Sequence, residues 1–422
     1  MTALQSKPIL VVVHQHLEDA TTLRAVRSVL VRAPHVKLLQ LGRTDERLGA
    51  HLDGLCEAGR FAADLGRAAL EVPGVGQVFV AALLAIEHRD TAQLERLLSL
   101  VEAIPEGSRA LSSAFGWVSP ARLRGITSGL LGSASPQARW LGIAACALHR
   151  VDPGAALAAT LADEHPALRL RAVRAAGELG RVDLLPECLA RLQDPDPSVQ
   201  LAAVRSALLL GDRGHAVAAV RGIASNAKPA GMQALPLALF TADADAARAL
   251  VRQLAASGTS PRTLIKAAGW AGDAQVVPWL FKHMENDVHA RVAGEAFSFI
   301  TGVDLAWLDL DRKPPEKGSS GPSDDASDNA VALDEDESLP WPDLPKLTAW
   351  WKQNGNHFTA GTRLFAGAQP TTAHCLQVLK EHTQRRRMAA ATYMSLLKPG
   401  TALFNCAAPA RRQERLLAQM GA

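Results

Sequence analysis

A pattern of about 30 residues is written twice in succession near the middle of this chain of 422 residues. The first copy starts at Pro166 (PALRLRAVRAAGELGRVDLLPECLARLQD) and the second at Pro197 (PSVQLAAVRSALLLGDRGHAVAAVRGIAS). In each copy apolar residues recur every three or four positions, as on one face of a helix, and a glycine closes that helix. A second apolar run follows directly. Each copy therefore predicts a helical hairpin.

The residues that close the first helices continue this pattern along the chain. Gly180, Gly211, Ala242, Gly272 and Gly302 are separated by 31, 31, 30 and 30 residues. A hairpin that cannot bury its apolar face alone must stack on its neighbours. The sequence therefore predicts an all-α fold, an α-solenoid of helical hairpins with a period of about 30–31 residues and helical N- and C-terminal caps.

Hairpins with a Pro/Asp turn, a first helix of the form VRxxAxxAL and a terminal glycine resemble HEAT repeats, in particular the short class known from phycobilisome lyases. The resemblance covers Leu111 to Asp304. It implies that the second helices of the hairpins line a concave binding surface. The segments DERLGAHLDGL from Asp45, SAFGWV from Ser113 and RLFAGAQPTTAHCLQVLKEHTQRRRMAAA from Arg363 are similar to a bacterial family of HEAT-repeat proteins whose genes often lie near type VI secretion clusters.

Composition and charge indicate where the protein acts. Hydrophobic residues make up 48% of the chain and aromatic residues only 5%, so we expect a core of Ala, Leu and Val. Five widely spaced cysteines are typical of buried free thiols in a reducing cytosol. The longest apolar run, Val78 to Ile86, is too short to span a bilayer, and the N-terminus lacks the pattern of a signal peptide. We therefore expect a cytoplasmic protein.

The domain organisation follows from composition along the chain. We predict a mostly helical N-terminal region (residues 1–93), in which Ile9 to Val13 is a candidate strand, and a HEAT-like solenoid (residues 94–310). An acidic linker or loop without fixed structure (residues 311–340) follows, and then a basic helical C-terminal cap (residues 341–422). Residues 311–345 carry ten carboxylates and three cations, whereas residues 346–422 carry eleven cations and two carboxylates.

The second helices of the predicted hairpins carry a repeated cation. Arg191, Arg221, Arg252 and Lys282 are separated by 30, 31 and 30 residues. Because neighbouring helices pack about 8–10 Å apart, these cations are expected to form a basic ladder along one face. The HEAT resemblance implies that this ladder faces the binding groove. The alternative is that each cation pairs locally with an acid such as Asp194.

Two further charged segments are candidates for binding. We expect the acidic segment Asp324 to Glu337 to cover part of the groove or of the basic tail, so that deletion of Ser319 to Ser338 raises the affinity for an acidic partner. The run Arg385, Arg386 and Arg387 is a candidate phosphate contact, although such runs more often form a solvated helix face.

No pattern of a catalytic site stands out. GxSxG, Walker and GxGxxG motifs are absent from the sequence. The remaining candidates for a metal site are His14 and His16 with Glu18 and Asp19, and His283 with His289. We interpret both groups as solvated polar residues and not as metal ligands. We therefore predict no catalytic residue, no metal and no cofactor.

The sequence thus favours a non-catalytic scaffold that binds an acidic protein through a basic concave groove. The resemblance to the secretion-linked family implies an adaptor, chaperone or immunity protein, with a secreted effector or spike component as its partner. Two alternatives stay open. One is a nucleic-acid-binding HEAT protein of the DNA-glycosylase type, which the cation ladder would serve. The other is an enzyme of the bilin-lyase type. The oligomeric state stays undetermined.

Overall fold

The structure is a computed structural model of the chain, and it describes residues 8–104, 106–225, 229–315 and 334–421. The secondary structure of these residues is almost entirely helical. The helices are α1 (Leu10–Leu30), α2 (Leu38–Glu57), α3 (Arg60–Ala68), α4 (Val75–Glu87), α5 (Thr91–Glu102), α6 (Gly107–Trp117), α7 (Ile126–Leu131), α8 (Pro136–His149), α9 (Ala155–Thr160), α10 (Pro166–Leu179), α11 (Leu185–Ala190), α12 (Pro197–Leu209), α13 (His215–Ala224), α14 (Pro229–Thr241), α15 (Ala244–Ala256), α16 (Pro261–Ala271), α17 (Val277–Met284), α18 (Asp287–Thr301), α19 (Leu344–Asn354), α20 (Thr372–Glu381), α21 (Gln384–Leu397) and α22 (Ala410–Met420).

Two short strands accompany these helices. β1 (Asp311–Arg312) pairs antiparallel with β2 (Trp341–Pro342). The prediction of an all-α fold built from helical hairpins is confirmed. No helix in the described ranges is both long and apolar enough to cross a membrane.

The prediction of a strand at Ile9 to Val13 was wrong, because Ile9 is the N-cap of α1 and Leu10 to Val13 form its first turn. Val13 continues the helical spacing of Leu17, Ala20 and Leu23, and all four side chains are buried. Burial of this helical face outweighs the preference of a β-branched run for a strand, so the segment is helical.

Prolines and capping residues determine where the first helices of the hairpins begin. α8, α10, α12 and α16 each begin at a proline, whose missing N–H would have no partner in the first turn of a helix. The side chains of Ser135, Asp196 and Ser260 cap α8, α12 and α16 by accepting hydrogen bonds from backbone N–H groups. The repeated prolines of the sequence are therefore helix starts.

The chain forms two compact units, Met1–Gly211 with Lys398–Ala422, and Asp212–Leu397. In the first unit α4, α6, α8, α10 and α12 stack in chain order, and α1 packs on α2 and α4. In the second unit α14, α16 and α18 stack in the same way, with α13, α15 and α17 packed beside them. The predicted C-terminal cap is divided between the units, because residues after Leu397 pack back onto the first unit.

A non-helical segment of residues 398–405, which we call the C-terminal strap, runs across the helix ends of the first unit. Leu403 donates its backbone N–H to Glu178 O (2.9 Å), and Arg150 Nε donates to Leu403 O (2.6 Å). Gly180 has φ +71°, and a Cβ at this position would lie 2.3 Å from Gly400 O. The closing glycine of α10 therefore serves as a left-handed C-cap and also as clearance for the strap.

A second non-helical segment, residues 363–367, crosses the corresponding helix ends of the second unit, and we call it the inner strap. Leu364 donates its N–H to Gly272 O (2.7 Å), and Ala366 donates to Phe299 O (2.7 Å). Arg363 Nη2 reaches Ala242 O (2.6 Å). The inner strap thus satisfies backbone carbonyls at the ends of α14, α16 and α18, which helices leave without intrahelical partners.

Beyond the C-terminal strap, the chain is fixed to α1 and α2 by a buried ion pair. Arg27 Nε lies 2.5 Å from Asp45 Oδ1, and both side chains are almost fully buried. Arg27 Nη2 also donates to Ala408 O (3.0 Å), and Asp45 Oδ2 accepts from the N–H of Ala410 (2.7 Å). Both charges therefore have several partners, which is what burial of an ion pair requires.

Candidate functional site

The four cations of the predicted ladder have different surroundings. In the first unit Arg191 follows α11, and its Nη1 lies 3.7 Å from Asp194 Oδ2. In the second unit Arg221, Arg252 and Lys282 lie on α13, α15 and α17, and all three are exposed. None of these three forms an ion pair within the ranges that the structure describes. The ladder itself stays a prediction.

Asp194 explains why Arg191 differs from the other cations. Asp194 is 2% exposed, and its two oxygens accept from Arg169 at 2.7 and 2.8 Å. These hydrogen bonds from Arg169 are the main reason why the pKa of Asp194 lies below its ordinary value. The local pairing considered as the alternative is therefore present at Arg191.

On α15 a paired and an unpaired cation stand one turn apart. Arg248 Nη1 lies 2.7 Å from Asp273 Oδ2, and Arg248 also pairs with Asp245. Arg252, four residues later, is exposed and has no such partner among the described residues. The helix therefore separates a cation that holds the fold from one that faces solvent.

The run Arg385 to Arg387 is engaged within the second unit. Arg387 is fully buried, and its Nε donates to Leu379 O (2.7 Å). Arg385 Nη1 donates to both carboxylate oxygens of Glu295, at 2.8 and 2.7 Å. Burial lowers the pKa of Arg386. Arg387 cannot contact a phosphate, because its guanidinium group is buried and hydrogen-bonded within the second unit.

The acidic segment is described only from Asp334 onward, so residues 324–333 of this prediction lie outside the described residues. Asp334, Glu335 and Asp336 contact three cations on the first helices α16 and α18, and not the predicted ladder on the second helices. These cations are Arg262, Lys266 and Arg291. The sequence did not single them out, because their acidic partners are at least 43 positions away along the chain.

The histidine candidates have different surroundings. His16 Nδ1 lies 3.0 Å from His51 Nδ1, and His14 is exposed on α1. The rings of His283 and His289 lie 5.8 Å apart, and the pKa of His283 is lowered by burial and then by His289. Within the described ranges, no group of three or more His, Cys, Asp or Glu residues is arranged to hold a metal ion.

A cavity of about 470 Å³ opens between α3, α4 and the start of α5. Asp90 caps α5 by accepting from the N–H of Gln93 (2.9 Å), and Arg67 Nη1 lies 3.7 Å from Asp90. The residues that line the cavity include no serine, threonine or cysteine. The lining thus offers no side-chain hydroxyl or thiol nucleophile. Its polar lining residues are Arg60, Arg67, His88, Asp90 and Gln93.

Comparison with known proteins agrees with the hairpin geometry. No curated protein matches the chain. The finer resemblances, to phycobilisome lyases and to the secretion-linked bacterial family, stay predictions. Residues 154–234, which include α10 to α13, match the family model of HEAT repeats, and over these residues the chain is similar to HEAT repeats.

Proposed function

We propose that this protein is a non-catalytic scaffold that binds an acidic segment of a partner protein through Arg221, Arg252 and Lys282. HEAT repeats commonly mediate contacts between proteins. The observation that carries the proposal is that three second helices each present an exposed cation without an ion pair in the described ranges. An acidic partner can supply three counter-charges without first breaking an internal pair.

Solvent exposure of the cations is consistent with recognition of a partner. Even an exposed cation that forms an ion pair stabilises a fold by only about 0–1 kcal/mol. These three cations therefore contribute little to folding stability. Charge complementarity between surfaces, in contrast, raises the rate of association and selects among partners. The same cations could contact nucleic-acid phosphates, and that alternative is separated by experiment.

The finer part of the proposal concerns the partner and the compartment. We propose a cytoplasmic adaptor, chaperone or immunity protein whose partner is a secreted effector or spike component of a type VI secretion system. This part rests on the segments DERLGAHLDGL, SAFGWV and RLFAGAQPTTAHCLQVLKEHTQRRRMAAA and on their resemblance to a secretion-linked family.

The test is affinity capture of the tagged protein from its native host at moderate salt, followed by mass spectrometry. The variant R221E/R252E/K282E reverses the three second-helix cations. The control K352E/K380E/K398E makes the same change of charge at three exposed lysines outside the second helices. We expect a stoichiometric protein partner that the control retains and the ladder variant loses.

Other outcomes contradict the proposal in different ways. Equal capture by the ladder variant and the control would remove the second helices from the binding surface. Recovery of nucleic acid alone, with binding that falls steeply as salt rises, would favour the nucleic-acid-binding alternative. Conversion of a captured small molecule by the purified protein would favour an enzyme.

A further inference from the structure

Three cations of the second unit form a compact basic surface on the first helices. Arg262 and Lys266 lie one turn apart on α16, and Arg291 lies on α18, which packs against α16. Their side chains are 28%, 27% and 14% exposed. We call these three residues the acid-binding surface. It is distinct from the ladder, which lies on the second helices.

Three consecutive acidic residues of the chain occupy this surface, and each contacts a cation. Arg262 donates from Nη1 and Nη2 to the two oxygens of Asp336, both at 2.6 Å. This is the bidentate arrangement that suits a guanidinium group and a carboxylate. Glu335 Oε2 lies 3.0 Å from Arg262 Nη2 and 3.3 Å from Lys266 Nζ.

Arg291 completes the contact at the other end of the acidic segment. It pairs with Asp334 and donates from Nη1 to Asp336 O (3.0 Å). Arg385 Nη2 donates to Glu335 O (3.4 Å). The cations therefore contact backbone carbonyls of this segment as well as its carboxylates.

Charge holds this segment more than apolar packing does. Glu335 is 70% exposed, and Glu337 and Ser338 are also exposed. In the stretch from Asp334 to Ser338, only Asp336 is fully buried. Ser338 has φ +66°, a conformation that costs a non-glycine residue about 1–2 kcal/mol. A segment held in this way can be exchanged for another of the same charge.

The two ends of the acidic loop are held together close to this surface. β1 and β2 pair antiparallel, and the ring of Trp341 lies 4.6 Å from Arg291 and 5.3 Å from Arg312. Asp336 is only five residues from Trp341 along the chain. A segment tethered so closely has an effective concentration of about millimolar, so it occupies the surface even when its intrinsic affinity is weak.

We propose that the acid-binding surface is a docking site for a short acidic turn of a partner protein, and that Asp334 to Asp336 occupies this site until the partner displaces it. The carboxylates already seated there define the chemistry of the partner. Two or three consecutive Asp or Glu residues in a turn, closed as here by the hydrogen bond from Glu337 N to Asp334 O (3.1 Å), match the spacing of Arg262, Lys266 and Arg291. The inference does not depend on the ladder, because it concerns other residues on other helices.

The test uses a fluorescent peptide with the sequence of residues 332–341, ALDEDESLPW, and the full-length protein. The variant D334N/E335Q/D336N removes the charges of the internal occupant. The control E337Q neutralises the adjacent exposed acid, which forms no ion pair with any residue that the structure describes. At about 50 mM salt we expect the triple variant to bind the peptide about tenfold or more tightly than the wild type, because the site is no longer occupied.

Three comparisons make the result specific. The control E337Q should bind as weakly as the wild type, and addition of K266E to the triple variant should weaken its binding. A peptide with Asn, Gln and Asn in place of the three acids should not bind. The ladder variant R221E/R252E/K282E, combined with the triple variant, should bind normally, so this test fails or succeeds independently of the proposed function.

A second measurement covers the case in which the triple variant does not fold. The N–H groups of Asp336, Glu337 and Leu339 are hydrogen-bonded within the docked segment. In the wild type, an excess of the acidic peptide should speed hydrogen exchange at residues 334–339, because the displaced turn loses the cation contacts that hold its acids in place. Unchanged exchange with saturating peptide, or equal peptide binding by the wild type and a folded triple variant, would overturn the proposal. Binding of single-stranded DNA in place of the peptide would overturn it as well.

Discussion

Substitution of Gly272 by alanine tests whether the inner strap stabilises the second unit. Gly272 closes α16 with φ +72°, and a Cβ there would lie 2.2 Å from Leu364 O in the strap. Gly258 supplies a matched control, because its φ is +74° and a Cβ there would meet no atom within 4 Å. The two substitutions share the backbone strain and differ in the contact with the strap.

The expected magnitudes follow from these two contributions. Alanine in a left-handed conformation costs about 1–2 kcal/mol, and Gly258→Ala should lose this amount of unfolding free energy. Gly272→Ala must also displace the strap and break the 2.7 Å hydrogen bond from Leu364 N to Gly272 O. Loss of that bond, with its partners left without replacements, costs about 1–3 kcal/mol more. We therefore expect an additional loss of about 2 kcal/mol, or roughly 4–8 °C in Tm.

Urea unfolding followed by circular dichroism gives the free-energy difference between the two variants. Hydrogen exchange at residues 363–367 reports the strap directly, and it should become faster in Gly272→Ala while staying unchanged in Gly258→Ala. Equal stability of the two variants, with equal exchange in the strap, would show that the inner strap does not stabilise the second unit.

Two further predictions concern buried groups of the first unit. Asp194→Asn should lower the unfolding free energy by about 3 kcal/mol, because Arg169 keeps a buried charge without a counter-charge. The pKa of Asp194 is lowered in the folded state, so its contribution to the unfolding free energy is fully present above about pH 4 and is lost as the pH falls further. The wild type should therefore lose stability more steeply in acid than Asp194→Asn does. Parallel curves of unfolding free energy against pH for the two proteins would contradict this reasoning. Burial raises the pKa of the Cys188 thiol to about 12, so iodoacetamide at pH 8 should label Cys188 only after unfolding, and rapid labelling of the native protein, detected by mass spectrometry, would argue against its burial.

Much of the helical structure could be predicted from local patterns. Apolar spacing acts within a few positions, and so the sequence predicts the helical hairpins and a helical C-terminal region, which the structure shows as α19 to α22. The repeated prolines and glycines likewise predict helix starts and ends. At Ile9 to Val13 the local pattern failed, because tertiary burial of one helical face outweighs strand preference.

Charged contacts were far less predictable, because the partners of a charge are set by the tertiary fold. The pair of Arg191 and Asp194 lies within one helical turn and could be named from the sequence, whereas the buried partners Arg169 and Asp194 are 25 residues apart. Arg387 belongs to a run typical of a solvated face, but it is fully buried. The partners Arg262 and Asp336 are 74 residues apart in sequence, a separation at which no periodic pattern indicates contact.

The closing positions show how the two straps determine which residue a repeat can carry. Where the backbone of a strap meets the end of a helix, the closing residue is glycine, as at Gly180 against Gly400 O and at Gly272 against Leu364 O. Where a long side chain makes the contact, glycine is not needed.

At Ala242, Nη2 of Arg363 in the inner strap donates to the backbone carbonyl (2.6 Å). At position 150, one period before Gly180, the side chain of Arg150 donates to Leu403 O in the C-terminal strap (2.6 Å). An arginine bridges several ångströms, so the two backbones need not touch and a Cβ is tolerated. The break in the glycine pattern at Ala242 is therefore not a loss of the repeat, because Ala242, unlike the closing glycines, has no positive φ and the inner strap reaches its carbonyl through a side chain.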